Sequence, residues 1–127
     1  MILLLDTHVF LWWDCGHSAL RTDARAMIAD ADNRVLISAG SVWEIATKRQ
    51  TGKLRFEGSP TAAIAANGFE EVPILPLDPE RAGELAWANT DPFDRVLVAQ
   101  AQRLAATLVT ADAAIRGYGR VALLWSG

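Results

Sequence analysis

The 127-residue sequence is poor in the residues on which most site chemistries rest. Its single cysteine, Cys15, excludes an internal disulfide and fits a reducing cytoplasm. No distant histidine stands in a motif that would support Cys15, so thiol catalysis is excluded as a working reading. The two histidines, His8 and His17, both fall in the first helical region and read as structural. No Cys or His cluster has the spacing of a zinc site. No glycine-rich loop opens a helix, which argues against a nucleotide cradle. Positive charge is not in excess either. The net charge is −3 and the isoelectric point is near 5.3. A polyanion would therefore have to be handled by local basic residues and a cation, without a global basic field. The apolar run at Met1–Leu5 is too short, and broken too soon by Asp6, for a signal peptide or a membrane span. No repeat, low-complexity tract or linker divides the chain, so residues 1–127 read as one domain with room for a core.

What the chain does have is apolar residues, 51% of the total with five tryptophans, which suggests a partner surface as well as a core. Ile2–Leu5 reads as a fully buried parallel strand running straight into Asp6. Residues Thr7 to Trp13 read as a helix capped by Asp6 or Thr7. Of the adjacent Trp12 and Trp13, one must lie near the surface. Leu20–Ala31 reads as a second helix, Val35–Ser38 as the second strand, and Ser41–Lys48 as the start of a helix ended by Gly52. Ser59-Pro60 opens a helix that Asn67-Gly68 closes. Val72–Leu75 reads as the third strand, and Asp78-Pro79 as the cap of a helix reaching about Ala88. Asp91-Pro92-Phe93-Asp94 opens a helix to about Ala105, apolar nearly all round at Val96–Ala99 and therefore buried. Leu108–Thr110 and Val121–Trp125 are the last strands. Strands alternating with helices predict an α/β fold with a mostly parallel sheet and right-handed crossovers.

Four acids stand out: Asp6, Glu44, Asp94 and Asp112. Each has a local explanation. Asp6 and Asp112 can cap the helices that follow them. Ser41 and Glu44 have capping-box spacing, and Asp94 falls in a first helical turn. Together they suggest more, because a parallel sheet would bring all four to its carboxyl edge, where α/β folds bind ligands. Carboxylates converging there repel one another, and a divalent cation removes that repulsion. Mg²⁺ or Mn²⁺ would suit an all-oxygen donor set and phosphodiester hydrolysis by activated water. Thr7 and Thr110 could hold waters or steady the carboxylates. Lys48, Arg49, Lys53 and Arg55 form the densest basic cluster, readable as a solvated helix end or as a phosphate-binding flank.

Read in order, Leu4-Leu5-Asp6-Thr7-His8, Ser41–Lys48, Asp91-Pro92-Phe93-Asp94-Arg95 with Ala99-Gln100-Ala101, and Leu108–Asp112 resemble PIN-domain proteins, and among them the VapC-type toxins. The resemblance implies a three-layer α/β/α sandwich and an Mg²⁺- or Mn²⁺-dependent endoribonuclease. Asp6, Glu44, Asp94 and Asp112 would be its acids, with Asp6 and Asp94 as the most direct metal ligands. It also implies homodimers, a VapB-like antitoxin that covers the groove, and promoter DNA bound only through that antitoxin. Relatives often carry His where this chain has Asn89. Arg95 also matches the pattern, and its plain reading is an ion pair to a neighbouring carboxylate. Two other readings keep the fold: an inactive partner-binding module and a DNA-directed nuclease. A haloacid-dehalogenase-like phosphatase would need a second Asp two residues after Asp6, where His8 stands.

Overall fold

The computed structural model describes all of residues 1–127. Ile2–Leu5 forms β1, and all but its first residue are buried. It is flanked in parallel by β2 (Arg34–Ser38) and β4 (Thr107–Thr110), with β3 (Glu70–Val72) beyond β2 and β5 (Leu123–Trp125) beyond β4. The sheet order is β3-β2-β1-β4-β5, all parallel. The chain builds outward from β1 in one direction, then returns to build outward in the other. That reversal leaves a crevice at the carboxyl ends of β1 and β4, where such sheets take ligands.

Seven helices cover the sheet: α1 Thr7–Cys15, α2 Thr22–Ala29, α3 Ala39–Gln50, α4 Pro60–Ala66, α5 Leu77–Glu84, α6 Pro92–Leu104 and α7 Ala113–Tyr118. Side chains alternate across a strand, so consecutive residues enter different layers. Leu3, Leu5, Val35, Ile37 and Val109 pack with Val9, Phe10, Ile28, Ile45 and Ile64 from the helices of one face. Leu4, Leu36 and Leu108 pack with Leu97, Val98, Ala101 and Ile115 on the other. The result is the expected three-layer sandwich. The same alternation puts Asp6, two residues after Leu4, and Thr110, two after Leu108, toward the α6 layer.

Several boundaries differ from the sequence reading. The second helix is shorter at both ends, Thr22–Ala29. β3 comes earlier than Val72–Leu75, because Pro73 lacks the N–H that would continue the ladder. α3 begins at Ala39, directly from β2, with Ser38 as its cap through Gly40 N–H. The Ser41–Glu44 capping box is therefore overturned, since Glu44 lies in the second turn. Gly40 permits this entry: a Cβ there would stand 3.2 Å from Ser38 Oγ and 3.7 Å from Ile74 Cδ1. Asp78 does not cap α5. It lies inside that helix, fully buried. The caps at Ser59, Asp91 and Asp112 are as read, each side chain accepting a backbone N–H of its helix.

Candidate active site

Asp6 follows β1 without a turn and is 5% exposed. It occupies the cap position of α1, yet its carboxylate makes no cap hydrogen bond. Instead Thr110 Oγ1 donates to Asp6 Oδ2 at 2.6 Å across the β1–β4 crevice, and the same hydroxyl accepts from Asp112 N–H at 3.0 Å. Asp6 Oδ1 has no protein partner. Asp112 Oδ1 accepts from Ala114 N–H at 2.8 Å, so its role as a cap is real, and Oδ2 has no protein partner. Asp6, His8, Trp12, Ala111 and Asp112 line one hollow of about 250 Å³.

Glu44 reaches the same edge from α3. Its Oε1 accepts from Thr7 Oγ1 at 2.7 Å, with Ser41 Oγ 2.9 Å from that hydroxyl. Its Oε2 accepts from Lys48, one turn along. Both oxygens of Glu44 are therefore engaged, unlike those of the three aspartates. Asp94 enters on the first turn of α6. Its N–H and that of Phe93 satisfy the Asp91 cap, and Asn89 Nδ2 donates to Asp94 Oδ2 at 3.0 Å. Asn89 is fixed in turn, because its Oδ1 accepts from Asp91 N–H at 2.9 Å. A short polar side chain two residues before a cap is an Asx-turn signal that the sequence reading passed over.

Arg95 makes no ion pair with a carboxylate, contrary to expectation. Its guanidinium donates to four backbone carbonyls, those of Ala82, Leu85, Trp87 and Asn89, at 2.8 to 2.9 Å. These carbonyls lie where α5 ends and the chain turns toward α6, and Leu85 C=O accepts from Trp87 N–H as well. Only a forked, multi-donor cation satisfies so many at once. Arg95 thereby staples the segment that presents Asn89 to Asp94.

The electrostatics of the edge follow from burial. Desolvation raises the Asp6 pKa above its ordinary value. Glu44 and Asp112 push it further up, against the Thr110 hydrogen bond and His8. Asp94 is raised to about 7, first by burial and then by the charges of Asp91, Asp112 and Asp6, against the Asn89 hydrogen bond. Lys48 is raised by its bond to Glu44, with Asp91 and Asp94 adding to it. Asp6 therefore feels the charges of Glu44 and Asp112, and Asp94 those of Asp112 and Asp6, with the Lys48 ammonium beside Glu44; of the four acids, Asp6 and Asp112 share the hollow.

The donors are all oxygen, which suits a hard divalent cation. No three His, Cys, Asp or Glu side chains are gathered tightly enough to make a cage of their own. Mg²⁺ does not need one, since it takes one or two carboxylates and completes its shell with waters and substrate oxygens. The free oxygens of Asp6 and Asp94, each carboxylate steadied on its other oxygen by Thr110 or Asn89, fit that mode. Of the basic cluster, Lys48 is committed to Glu44, and Arg49 donates to the carbonyls of Phe56 and Gly58. Lys53 and Arg55 are exposed. Trp43, next to Glu44 on α3, is 60% exposed, and its ring stands edge-on to that of Phe93.

Solved structures that share this fold include the following three. A chain of VapBC2 from Rickettsia felis, solved bound to a DNA fragment from its promoter, superposes with a TM-score of 0.72 at 17% identity, covering 100% of both chains. A chain of VapBC-1 from nontypeable Haemophilus influenzae gives a TM-score of 0.61 at 16% identity, covering 99% of this chain and 97% of the other. A chain of FitAB bound to the IR36 DNA fragment gives 0.60 at 20%, covering 97% and 94%. At these identities the likeness is one of fold. Comparison with curated proteins gives no match. The PIN domain family model matches residues 3–121, which takes in β1, the carboxyl edge and all four acids. With nearly its whole length matched, the chain belongs to the PIN domain family.

Proposed function

We propose that this chain is a divalent-cation-dependent endoribonuclease, acting in the cytoplasm as the toxin of a toxin–antitoxin pair. The carrying observation is that Asp6, at the end of β1, and Asp94, on the first turn of α6, are bonded only to the neutral donors Thr110 and Asn89, with no arginine or lysine bonded to either, while burial raises both. Uncompensated burial of carboxylates costs stability, and a site that supplies its own countercharge on loading repays it. When bound, Mg²⁺ or Mn²⁺ supplies the Lewis acid that readies water for attack on phosphorus and offsets the charge that develops there.

The chain's own residues do the rest. Asp6 and Asp94 would hold the ion, and Asp112 would offer the oxygen its cap bond leaves free. Thr110 and Asn89 keep the two principal carboxylates oriented. Glu44, with both oxygens engaged, would reach the ion only by releasing Thr7 or Lys48; as it stands it positions Thr7 and holds the Lys48 ammonium. Lys53 and Arg55 supply charge for the RNA backbone.

The three similar assemblies, two of them solved with DNA, support a VapB-like antitoxin as partner, with promoter DNA bound through that antitoxin. Exposed Trp43, Ile74, Leu75 and Leu77 support an apolar interface, for which a homodimer is the reading. The test is cleavage of matched RNA and DNA strands in Mg²⁺, in Mn²⁺ and in chelator, with Asp6→Asn and Asp94→Asn alongside. The proposal expects RNA cut only with metal, no cutting by either variant, and relief of growth arrest in cells. Metal-independent cleavage, or full toxicity of Asp94→Asn, would overturn it.

A further inference from the structure

Three hollows lie in a row on the α1 side of the acidic mouth and share their walls. The first holds Asp6 and Asp112 and is closed on one side by His8 and Trp12. His8 and Trp12 also wall the second, a hollow of about 390 Å³ whose far side is Leu54, Arg55 and Phe56. Arg55 and Phe56 then wall the third, which reaches Arg49 and Gly52. The three hollows are therefore neighbours, leading from the acids past aromatic side chains to the basic segment. Between residues 48 and 57 that segment carries four cations and one acid, in a chain of net charge −3. Of the other acids lining the hollows, Asp14 is tied to Asn67 Nδ2 at 2.9 Å, while Glu57 is exposed.

The platform is pre-organised. Trp12 is half-buried against the core, and His17 backs its ring, with centroids 6.0 Å apart and planes at 27°. His17 is itself locked, because its Nδ1 accepts from Ala19 N–H. A fixed indole beside an imidazole is a stacking surface for a planar, unpaired base. Every base has a π-face, whereas a base inside a duplex has none to offer.

We propose that the middle hollow seats an unpaired nucleobase next to the cleaved phosphodiester, stacked on Trp12 with His8 at its edge, while Arg55 takes the phosphate beyond it. This rests on the ribonuclease reading and deepens it: the substrate is single-stranded at that nucleotide, and Trp12 and Arg55 set the register. The apolar and aromatic lining serves the base, and the cations beyond it serve the backbone. Together they favour RNA over a peptide strand, which would need no cation at Arg55.

The test is binding in EDTA, where no cleavage is required, of a short fluorescein-labelled single-stranded RNA to the full chain. Trp12→Ala is expected to weaken binding about tenfold or more, and Trp12→Phe, which keeps a ring, to recover most of it. Arg55→Ala should weaken binding of every sequence alike and lower the salt-dependence slope by about one. Arg34→Ala removes the same charge at the amino edge of the sheet and should change nothing. A duplex of the same sequence should be indifferent to Trp12.

If Trp12→Ala fails to fold, Trp12→Phe and the exposed Arg55→Ala still decide. Native affinity in a folded Trp12→Ala, or equal effects of Arg55→Ala and Arg34→Ala, overturns the proposal. So does loss of an antitoxin tail peptide with RNA binding intact, which would make the hollow a peptide seat. Wild-type protein that cleaves RNA while these variants bind normally sinks this inference alone. Wild-type protein that neither binds nor cleaves RNA sinks the ribonuclease reading and this inference with it.

Discussion

Two regions of the molecule bury aspartates and treat them in opposite ways. Asp78 in α5 is fully buried, and Arg103 of α6 grips it with both ends of its fork: Nε donates to Oδ1 at 2.6 Å and Nη2 to Oδ2 at 3.1 Å. Leu75 N–H adds a third bond to that carboxylate. Burial alone would raise its pKa, but the Arg103 bond, the Leu75 N–H and the Arg103 charge outweigh it, and Asp78 lies below its ordinary value. Asp6 and Asp94, at the carboxyl edge, are desolvated with only neutral donors bonded to them, Thr110 and Asn89, and both are raised. The first arrangement bolts α5 to α6. The second keeps charge in want of a counterion. Burial by itself does not separate a structural acid from a working one; the identity of the partner does.

The comparison breaks most visibly at its structural half. Arg103→Ala leaves Asp78 buried without its cation and should cost about 3 kcal/mol in urea unfolding. Cleavage per folded molecule should be retained. Asp94→Asn should do the reverse, losing at least about a hundredfold in RNA cleavage, the scale of several kcal/mol of metal-borne stabilisation. It should unfold no earlier than the parent, because an amide removes charge from a crowded edge.

The pH dependence sharpens the contrast. For Asp94 the folded pKa, about 7, lies above the unfolded value of 3.8. Between those values the native state holds the extra proton, so the Asp94 contribution to stability falls as pH rises through that window. Above it the penalty is constant. For Asp78 the folded pKa lies below the unfolded value, so its contribution is present above that value and is lost as pH falls through the folded one. Urea midpoints measured from acid to neutral pH should show a descending component that Asp94→Asn removes. Saturating Mg²⁺ should offset it near neutrality, by binding the native state alone.

A smaller effect is expected at Asn89. Asn89→Ala removes one neutral hydrogen bond from Asp94, and cleavage should fall about fivefold, as for the loss of about 1 kcal/mol. Smallest of all is the exposed Arg34–Glu70 bridge on the far edge. Arg34→Ala should leave both the unfolding midpoint and cleavage where they were.

Much of this was legible in the residues. Ile2–Leu5 running into Asp6 announces a buried strand and an acid at its end. Asp91-Pro92 and Ser59-Pro60 announce helix starts, because cap and proline chemistry is local. The meeting of Asp6 and Asp112 at one edge follows from parallel topology, since each follows one of two adjacent parallel strands. The rest depends on partners distant in sequence. Glu44 looked like a capping-box acid because nothing near it reveals that β2 passes straight into α3 at Ser38. Asp78 looked like a cap because its arginine is 25 residues away. Arg95 looked like an ion-pair partner because the carbonyls lying at the end of α5 cannot be seen in a string of letters. Lys48 and Arg49 looked free for RNA, yet one is held by a carboxylate and the other by a loop.

The central claim is that the edge acids await a divalent ion while Asp78 does not. Mn²⁺ uptake by the purified chain, followed by electron paramagnetic resonance without RNA, tests it directly. The account predicts saturable binding by the parent and by Asp78→Asn, and its loss in Asp6→Asn and in Asp94→Asn. Binding left intact by both edge substitutions, or no uptake by the folded parent, contradicts it.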